Sequence, residues 1–550
     1  MNLEDNVNEG IVELKYRGFL PDCDVTSFLH SLQHHFGTPS ISDELVVFFK
    51  YKEDVRLRFN KNGLYYTLKS GHDKLDDTKI KEERIADIDL NQAENFVHIL
   101  FHGGCEKGLF SYSTRYDFTT PRGVFSLKFD SVCGDYWEFN KKLSTDNDIA
   151  QNERDMQKTL EELQLKSWSV EEYDQHRKAC WLEVSPEPLI TERGFLNPKI
   201  RTIIAKYINR PARSLKGGDL TLGKRLSQVS NDYSDLEKSF ENQTNHALLS
   251  EQPMPYSNDF SINGSVLIPV YNGVEQLELC LRSIANQDLT ESQFKRIEVV
   301  VVDDGSQVRG MDVLEDYLSK IIENKGIQFY LIRSYKNSGR SRARNIGLQR
   351  CSGDVIIFLD SDVLLDRDYI RETMVRHQCL ENIALVTFKE NIDINDKRVI
   401  SDDPFDLIRK PDIYKDFRFS KMVHQGWLGL HPVKEERVVN CVKETDYFKD
   451  FGMGRVVGPF DLPCMFVTHS ASVKLREVER TGGFSSEFRG WGYEDTCFGA
   501  FLIANGNYIV PLLSTGVFHL ELPFEGEKER KYSEMTRNFE TYKRILESPY

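Results

Sequence analysis

No apolar run in this 550-residue sequence approaches the roughly 20 residues that a helix needs to cross a bilayer. The opening Met1-Asn2-Leu3-Glu4-Asp5 has neither a basic region nor an apolar one, so no secretory signal is expected. The ten cysteines are scattered, with no CxxC pair and no short disulfide framework, which leads to the expectation of reduced thiols in a cytoplasmic protein. Positive charge is in deficit: 71 Lys and Arg against 86 Asp and Glu give a formal net charge of -15. That balance disfavours broad nucleic-acid binding. The remainder is ordinary for a soluble globular protein, with 40% hydrophobic and 29% charged residues. A chain of this length exceeds one core, so two or three domains are expected.

The chain is organised around Val299–Asp362. Ile297-Glu298-Val299-Val300-Val301-Val302 and Val355-Ile356-Ile357-Phe358-Leu359 are short, largely β-branched and continuously apolar. Strands buried on both faces of a parallel sheet have this pattern. Each run ends in acids, Asp303-Asp304-Gly305-Ser306 and Asp360-Ser361-Asp362. Open α/β sheets bind ligands at the carboxyl ends of their strands. Two aspartates one residue apart can hold a divalent cation, and the cation can hold a diphosphate. Around these runs the chain alternates strand and helix. Strands are expected at Ser265–Asn272 and Ile327–Arg333, helices at Val274–Asn286 and Met311–Glu323, and a loop and helix from Asn337 to Arg350, which is a parallel sheet with covering helices.

Residues 1–148 instead alternate apolar and polar residues in short runs: Val12–Tyr16, Val55–Phe59, Leu64–Lys69 and Val124–Phe129, with the hairpin signal Asn62-Gly63. An antiparallel β domain is expected. Period-two spacing puts Glu13 with Lys15, and Arg56 with Arg58, on common faces, and Lys69, Arg115, Lys128 and Glu138 add further charge. A closed or nearly closed barrel would point such residues into a cationic tunnel. On Glu13-Leu14-Lys15, Arg56-Leu57-Arg58, Lys69, Arg84, Arg115 and Asp130…Glu138 this segment resembles the CYTH, or triphosphate tunnel, family. The resemblance implies phosphate binding by Lys15, Arg56, Arg58, Lys69, Arg115 and Lys128. Ile11 and Asn140 replace family glutamates, so little or no hydrolysis is implied. A helix follows over Ile149–Leu165. The connection then runs from 185 to 260, with several prolines, a Lys216-Gly217-Gly218 break, and a short helix at Ile200–Ile208. The expected domains are 1–184, a CYTH-like β-tunnel; 185–260, a linker; and 261–550, the α/β domain.

The second half resembles GT-A glycosyltransferases of the large family 2. The resemblance rests on five motifs in order: Ile268-Pro269-Val270-Tyr271-Asn272, Val302–Ser306, Asn337–Gly347, Asp360-Ser361-Asp362, and Gly482-Gly483-Phe484 followed by Gly490-Trp491-Gly492-Tyr493-Glu494-Asp495. It covers about residues 265–525. It implies a metal-dependent, inverting transfer from a nucleotide sugar, UDP-linked by preference, to an acceptor hydroxyl. Asp362 and Asp360 are implied as ligands of Mn2+ or Mg2+, with His519 as the late third ligand and His469 as a competing histidine. Pro269, Tyr271, Asp303, Asp304, Arg340, Asp360 and Ser361 are implied on the donor side. Asp495 is the implied general base and Glu494 orients the acceptor, with Trp491 and Tyr493 stacking on sugar rings. Arg342 is taken as part of a solvated helix face. The alternative is a triphosphate-binding or triphosphatase enzyme working in the first domain. A polyphosphate or nucleotide ligand is expected there in either case, and the sugar, the acceptor and the oligomeric state stay open.

Overall fold

The computed structural model describes residues 11–20, 25–50, 54–60, 63–70, 82–87, 90–102, 104–105, 107–129, 134–144, 148–183, 187–188, 220–226, 229, 231–307, 318–393, 410–416, 418, 420–423, 426–428, 431–433, 437–440, 462–521 and 528–548. Contacts divide the chain into two units, Met1–Ser214 with Arg333–Ser338, and Leu215–Ile332 with Gly339–Tyr550.

The first unit is the expected antiparallel β structure. Its strands are β1 (Ile11–Phe19), β2 (Ser40–Lys50), β3 (Asp54–Asn60), β4 (Gly63–Ser70), β5 (Glu82–Asp87), β6 (Lys107–Thr120), β7 (Gly123–Phe129) and β8 (Tyr136–Ser144). Their order is β1-β8-β7-β6-β2-β3-β4-β5, with Glu187–Pro188 added against β6. Among the described residues no pairing returns from β5 to β1, so a fully closed barrel is not seen. Asn60 pairs with Gly63, which places the hairpin where Asn62-Gly63 signalled it. One sheet face is apolar. Leu14, Phe125, Leu127, Trp137 and Phe139 bury there against Phe28, Leu29 and Leu32 of helix α1 (Val25–Phe36) and Met156 and Leu160 of helix α2 (Ile149–Glu162).

The other face is polar. Strand register puts positions 15, 56, 58, 69, 115 and 128 on it together, whereas position 84 falls opposite Leu68 on the far face. The side chains of Ile11, Glu13, Arg56, Arg58, Lys69 and Arg84, all of Asp130, and the Ile200–Ile208 helix lie outside the described residues. Three of the described cations meet carboxylates of their own sheet. Arg115 reaches Glu44 at 3.4 Å and Asp117 at 3.1 Å, Lys128 reaches Glu138 at 2.9 Å and Glu44 at 3.8 Å, and Arg17 reaches Glu138 at 2.6 Å. Burial would raise the Glu138 carboxyl, but Lys128, Lys15 and Arg17 hold it well below the usual carboxylate range. At Arg115 and Lys128 internal carboxylates thus supply the balance that an incoming polyanion would otherwise provide.

The second unit is built on a mixed sheet whose strands are β9 (Gly264–Val270), β10 (Ile297–Asp303), β11 (Gln328–Arg333), β12 (Val355–Leu359), β13 (Val363–Leu365), β14 (Ile383–Asp393), β15 (Ser470–Lys474) and β16 (Tyr508–Glu521). Their order is β11-β10-β9-β12-β15-β14-β16-β13. Strands β10, β9 and β12 are parallel neighbours, and every residue of β10 and β12 is buried. That burial explains why these strands are apolar without alternation. Helix α3 (Val274–Ala285) follows β9, and helix α4 (Arg340–Arg350) packs on β9 and β10 through Gly347. A Cβ at Gly347 would lie 2.2 Å from Leu267 Cδ1, so glycine here permits the close approach that places α4. Of the helix expected at Met311–Glu323, only 318–323 lies among the described residues.

Residues 231–260, assigned from sequence to the connection, run along this unit and are tied to helix α5 (Tyr369–Cys379) by buried charges. Glu372 accepts from Met254 N at 2.8 Å, Arg376 Nη1 at 2.8 Å and Ser514 Oγ at 2.6 Å. Arg371 donates to Met254 O at 2.7 Å and Arg376 to Leu248 O at 3.2 Å. Removing one partner of such a cluster leaves uncompensated buried charge. Glu372→Ala is therefore expected to cost about 3–5 kcal/mol, read from the denaturant midpoint of this unit. A loss within about 0.5 kcal/mol, as at ordinary surface sites, would contradict the cluster's structural weight.

Candidate active site

The carboxyl ends of β9, β10 and β12 lie side by side, because those strands are parallel neighbours in register. Pro269 lies in β9, Asp303 ends β10, and Asp360 follows β12. Asp303 and Asp304 are buried, with Asp303 Oδ1 accepting from Ser306 N at 2.9 Å and Asp304 Oδ2 accepting from Gly339 N at 2.8 Å. Asn272, in the left-handed region at φ 57°, accepts from Gln307 N at 2.8 Å and so ties the β9 turn to the β10 turn. Tyr271 is exposed above this edge. Ser361 Oγ would be 3.8 Å from a Cβ at Gly273, which puts it at the start of α3. Arg340 opens α4 exposed, and its charge acts on Asp360, Asp362 and Glu494. The donor-side residues read from sequence thus gather at one sheet edge.

The antiparallel pairing of β13 with β16 brings His519 opposite Val363, with Leu520 N bonded to Asp362 O at 2.8 Å. His519 Nε2 stands 3.7 Å from Asp362 Oδ2. Asp362 Oδ1 and His519 Nδ1 are buried polar atoms without a hydrogen-bond partner. Burial and the neighbouring Asp360 push the Asp362 carboxyl up, although His519 pulls it down. Burial lowers His519, against the pull of Asp362. Among the described residues no group of three such side chains is already gathered at cation-holding distances. Still, a carboxylate and an imidazole with orphaned donor atoms, beside a second carboxylate, are the ligand types that Mn2+ takes and thus fit such an ion.

His469 does not belong to that set. It is buried, its Nε2 faces Arg418 Nη2 at 3.2 Å, and its Nδ1 faces Ser470 Oγ at 2.6 Å. Burial and Arg418 hold its pKa far below the ordinary value, so it is a neutral structural group. Arg418 is in turn fixed by Asp416 at 2.7 Å. Through its backbone carbonyl, 3.4 Å from Asp360 N, His469 supports the turn that carries Asp360.

Glu494 and Asp495, expected from sequence on the acceptor side, begin helix α6 (Glu494–Ala504). They meet the donor side through Arg344, a residue not singled out from sequence. Its buried guanidinium donates to Asp360 Oδ1 at 2.8 Å and to Asp495 Oδ1 at 3.4 Å. Thr468, also unanticipated, donates its hydroxyl to Asp495 Oδ1 at 2.7 Å and its N–H to Asp495 Oδ2 at 3.1 Å. Glu494 is buried, and its Oε2 has no partner. Burial and the adjacent Asp495 push its carboxyl up to about 7. Arg342, expected in solvent, is fully buried and donates to Ser486 O at 2.7 Å. A signal for both arginines was present: Arg340–Arg350 contains no acidic residue, so these charges had to find partners outside their own helix. Trp491 is exposed, as an acceptor-contacting ring needs to be, but Tyr493 packs on Phe539 and Tyr542, with ring centroids at 5.2 and 5.8 Å. Sugar stacking by Tyr493 is therefore replaced by a packing role.

Residues 265–427 match the family described as glycosyl transferase family 2. Over 304 residues the chain is 27% identical to validoxylamine A glucosyltransferase of Streptomyces hygroscopicus subsp. limoneus, covering 53% of this chain and 58% of that protein. Over 112 residues it is 35% identical to glycosyltransferase GlyA of Streptococcus pneumoniae serotype 4, covering 20% of this chain and 14% of that one. The chain thus spans less than two thirds of the length of these curated relatives. The crystal structure of S. aureus TarS 1-349 with UDP-GlcNAc aligns at 17% identity and a TM-score of 0.34, over 51% of this chain and 66% of that one. The family match falls on the strands that end in Asp303-Asp304 and Asp360-Ser361-Asp362, so the second unit carries a family 2 glycosyl transferase domain.

Proposed function

We propose that this protein is a metal-dependent, inverting glycosyltransferase of the GT-A type. It moves a sugar from a nucleotide-diphosphate sugar, UDP-linked by preference, to an acceptor hydroxyl. The observation that carries this reading is Arg344, one guanidinium that touches the donor-side Asp360 and the acceptor-side Asp495. An inverting transfer needs its leaving group and its proton acceptor on opposite sides of one carbon, and Arg344 links the carboxylate read on the donor side to the one read on the acceptor side.

On the donor side, Asp303 keeps Oδ2 for a base N–H such as that of uracil. Arg340 is placed to pair with phosphate oxygens. A divalent cation on Asp362, Asp360 and His519 would supply Lewis-acid stabilisation of the departing diphosphate. On the acceptor side, Asp495 is held in place by Thr468 and Arg344 and receives the hydroxyl proton as the oxygen attacks the anomeric carbon. The sugar–phosphate bond breaks and the diphosphate leaves with the electron pair. Glu494, with a pKa of about 7, is partly protonated near neutrality and can donate a hydrogen bond to the acceptor. Trp491 offers the exposed ring against which a sugar can lie. A triphosphatase in the first unit lacks comparable support, since Glu44 and Glu138 are engaged by Arg115, Lys128 and Arg17 rather than open to a cation. No described helix is long and apolar enough to cross a membrane.

The test is a donor screen: full-length protein, Mn2+ and a panel of nucleotide sugars, with release of nucleoside diphosphate followed. Turnover of at least one donor is expected, and EDTA or Asp362→Ala should abolish it; full turnover in EDTA would contradict the metal role. Asp495→Asn should keep donor affinity in calorimetry while the rate falls about 100- to 10,000-fold, the range for general-base loss. Lost donor binding in that variant would make Asp495 structural.

Glu494 also makes a stability prediction. Its folded pKa lies above the carboxylate's ordinary value, so its contribution is fully present at low pH and is lost as pH rises toward 7. Between pH 5 and 8 the wild type should lose up to roughly 3 kcal/mol through this group. Glu494→Gln should flatten that part of the melting-temperature profile; parallel profiles for the two proteins would exclude a raised Glu494.

A further inference from the structure

The segment that carries the acceptor-side carboxylates has an unfavourable backbone. Gly490 has φ 73°, Gly492 φ 104° and Tyr493 φ 66°. The left-handed region costs glycine little, but a tyrosine held there is strained unless its surroundings impose the conformation. Helix α7 (Lys528–Glu547) imposes it. Glu534 Oε2 accepts from Trp491 N at 2.9 Å. Asn538, buried, donates from Nδ2 to Arg489 O at 3.0 Å and to Trp491 O at 3.2 Å. Phe539 and Tyr542 hold the Tyr493 ring. Arg544 closes the arrangement by pairing with Glu487. A Cβ at Gly490 would lie 2.4 Å from Glu534 Cδ, so the carboxylate occupies the space where any other residue would place its side chain. Helix α6 starts directly after this segment, with Cys497 N bonded to Tyr493 O at 2.9 Å, so the orientation of Tyr493 fixes the first turn that displays Glu494 and Asp495. Gly490 N also lies 4.0 Å from a Cβ placed at Gly339, next to the donor-side Arg340. All of α7 lies outside the span of the family match, which ends at 427.

We infer that helix α7 is a positioning element for transfer. Glu534 and Asn538 set the backbone of Gly490–Tyr493, and through it the orientation of Trp491, Glu494 and Asp495 toward the acceptor. What those carboxylates do rests on the glycosyltransferase reading above; that α7 sets their backbone does not. The side chains of Glu534 and Asn538 bond the backbone of Arg489 and Trp491, and Glu534 also pairs with Arg530 at 3.9 Å, so both act by positioning. Their effect should fall on the rate constant rather than on donor affinity, because the donor-side edge at β9, β10 and β12 does not involve α7.

Full-length Glu534→Ala, Glu534→Gln and Asn538→Asp variants test this with two readouts. The first is amide hydrogen exchange of the 486–496 segment, compared with the core strand 355–359. Loss of a bond that closes the segment should speed its exchange about tenfold in Glu534→Ala and Asn538→Asp. The 355–359 strand should be unaffected, and Glu534→Gln, which still accepts from Trp491 N, should stay near wild type. The second readout is steady-state kinetics on the donor found by the screen: kcat should fall about tenfold or more with donor KM within about twofold, and Glu534→Gln should restore it. Unchanged exchange in both Glu534→Ala and Asn538→Asp would overturn the inference. So would faster exchange shared equally by 355–359, or faster local exchange with unchanged kcat. If the wild type turns over no nucleotide sugar, the glycosyltransferase reading fails while the exchange data still decide the role of α7.

Discussion

Burying a guanidinium is expensive unless carboxylates surround it, and the second unit accepts that cost at Arg344. Burial alone would lower its pKa, but Asp495, Asp360 and Glu494 more than compensate and raise it. Arg344 comes from a helix pinned to β9 through Gly347, Asp360 from the end of β12, and Asp495 from the start of α6. Three elements distant in sequence thus meet at one charge. If the three parts are to remain neutralised, they have little freedom to separate, and Asp360 and Asp495 keep their places on either side of Arg344. Preorganisation of this kind lowers the reorganisation a reaction must carry out.

Other buried charges repeat the device at greater depth. Arg418 joins Asp416, His469 and the carbonyls of Thr387 and Met465, and so braces the turn beneath Asp360. Arg371, Glu372 and Arg376 fasten residues 248–255 to helix α5. Each guanidinium bonds backbone carbonyls as well as a carboxylate, which is how it secures irregular segments that have no ladder of their own. The sheet supplies the apolar core, and these arginines hold the loops that the sheet cannot hold.

The parts of this account legible in the sequence are those encoded locally. Continuous β-branched runs announced β10 and β12, and the acids after them marked the carboxyl edge, because burial on both faces leaves no alternation to mislead the eye. His519 was singled out through the family resemblance, and strand β16, Tyr508–Glu521, brings its imidazole to 3.7 Å from Asp362. Alternation likewise announced the antiparallel first unit. What escaped was set by distant partners. Arg342 was taken as part of a solvated helix face and Arg344 was not singled out, and only the third dimension supplies Ser486, Asp360 and Asp495. Tyr493 resembled a sugar platform because nothing near it in sequence foretold Phe539 and Tyr542. Glu44 escaped because β2, Ser40–Lys50, mixes polar and apolar residues too irregularly to count as an alternating run. Its pairing with Arg115 and Lys128 is what alters the charge balance of the polar face.

The central claim is that one nucleotide-sugar site lies between the carboxyl edge of β9, β10 and β12 and the first turn of α6. Crystals grown with Mn2+ and UDP test it most directly, through anomalous scattering at the manganese edge. The account predicts a single strong peak among Asp360, Asp362 and His519, with the diphosphate beside it and the base against Asp303. A peak located elsewhere, or UDP bound away from the β9–β10–β12 edge, would contradict it.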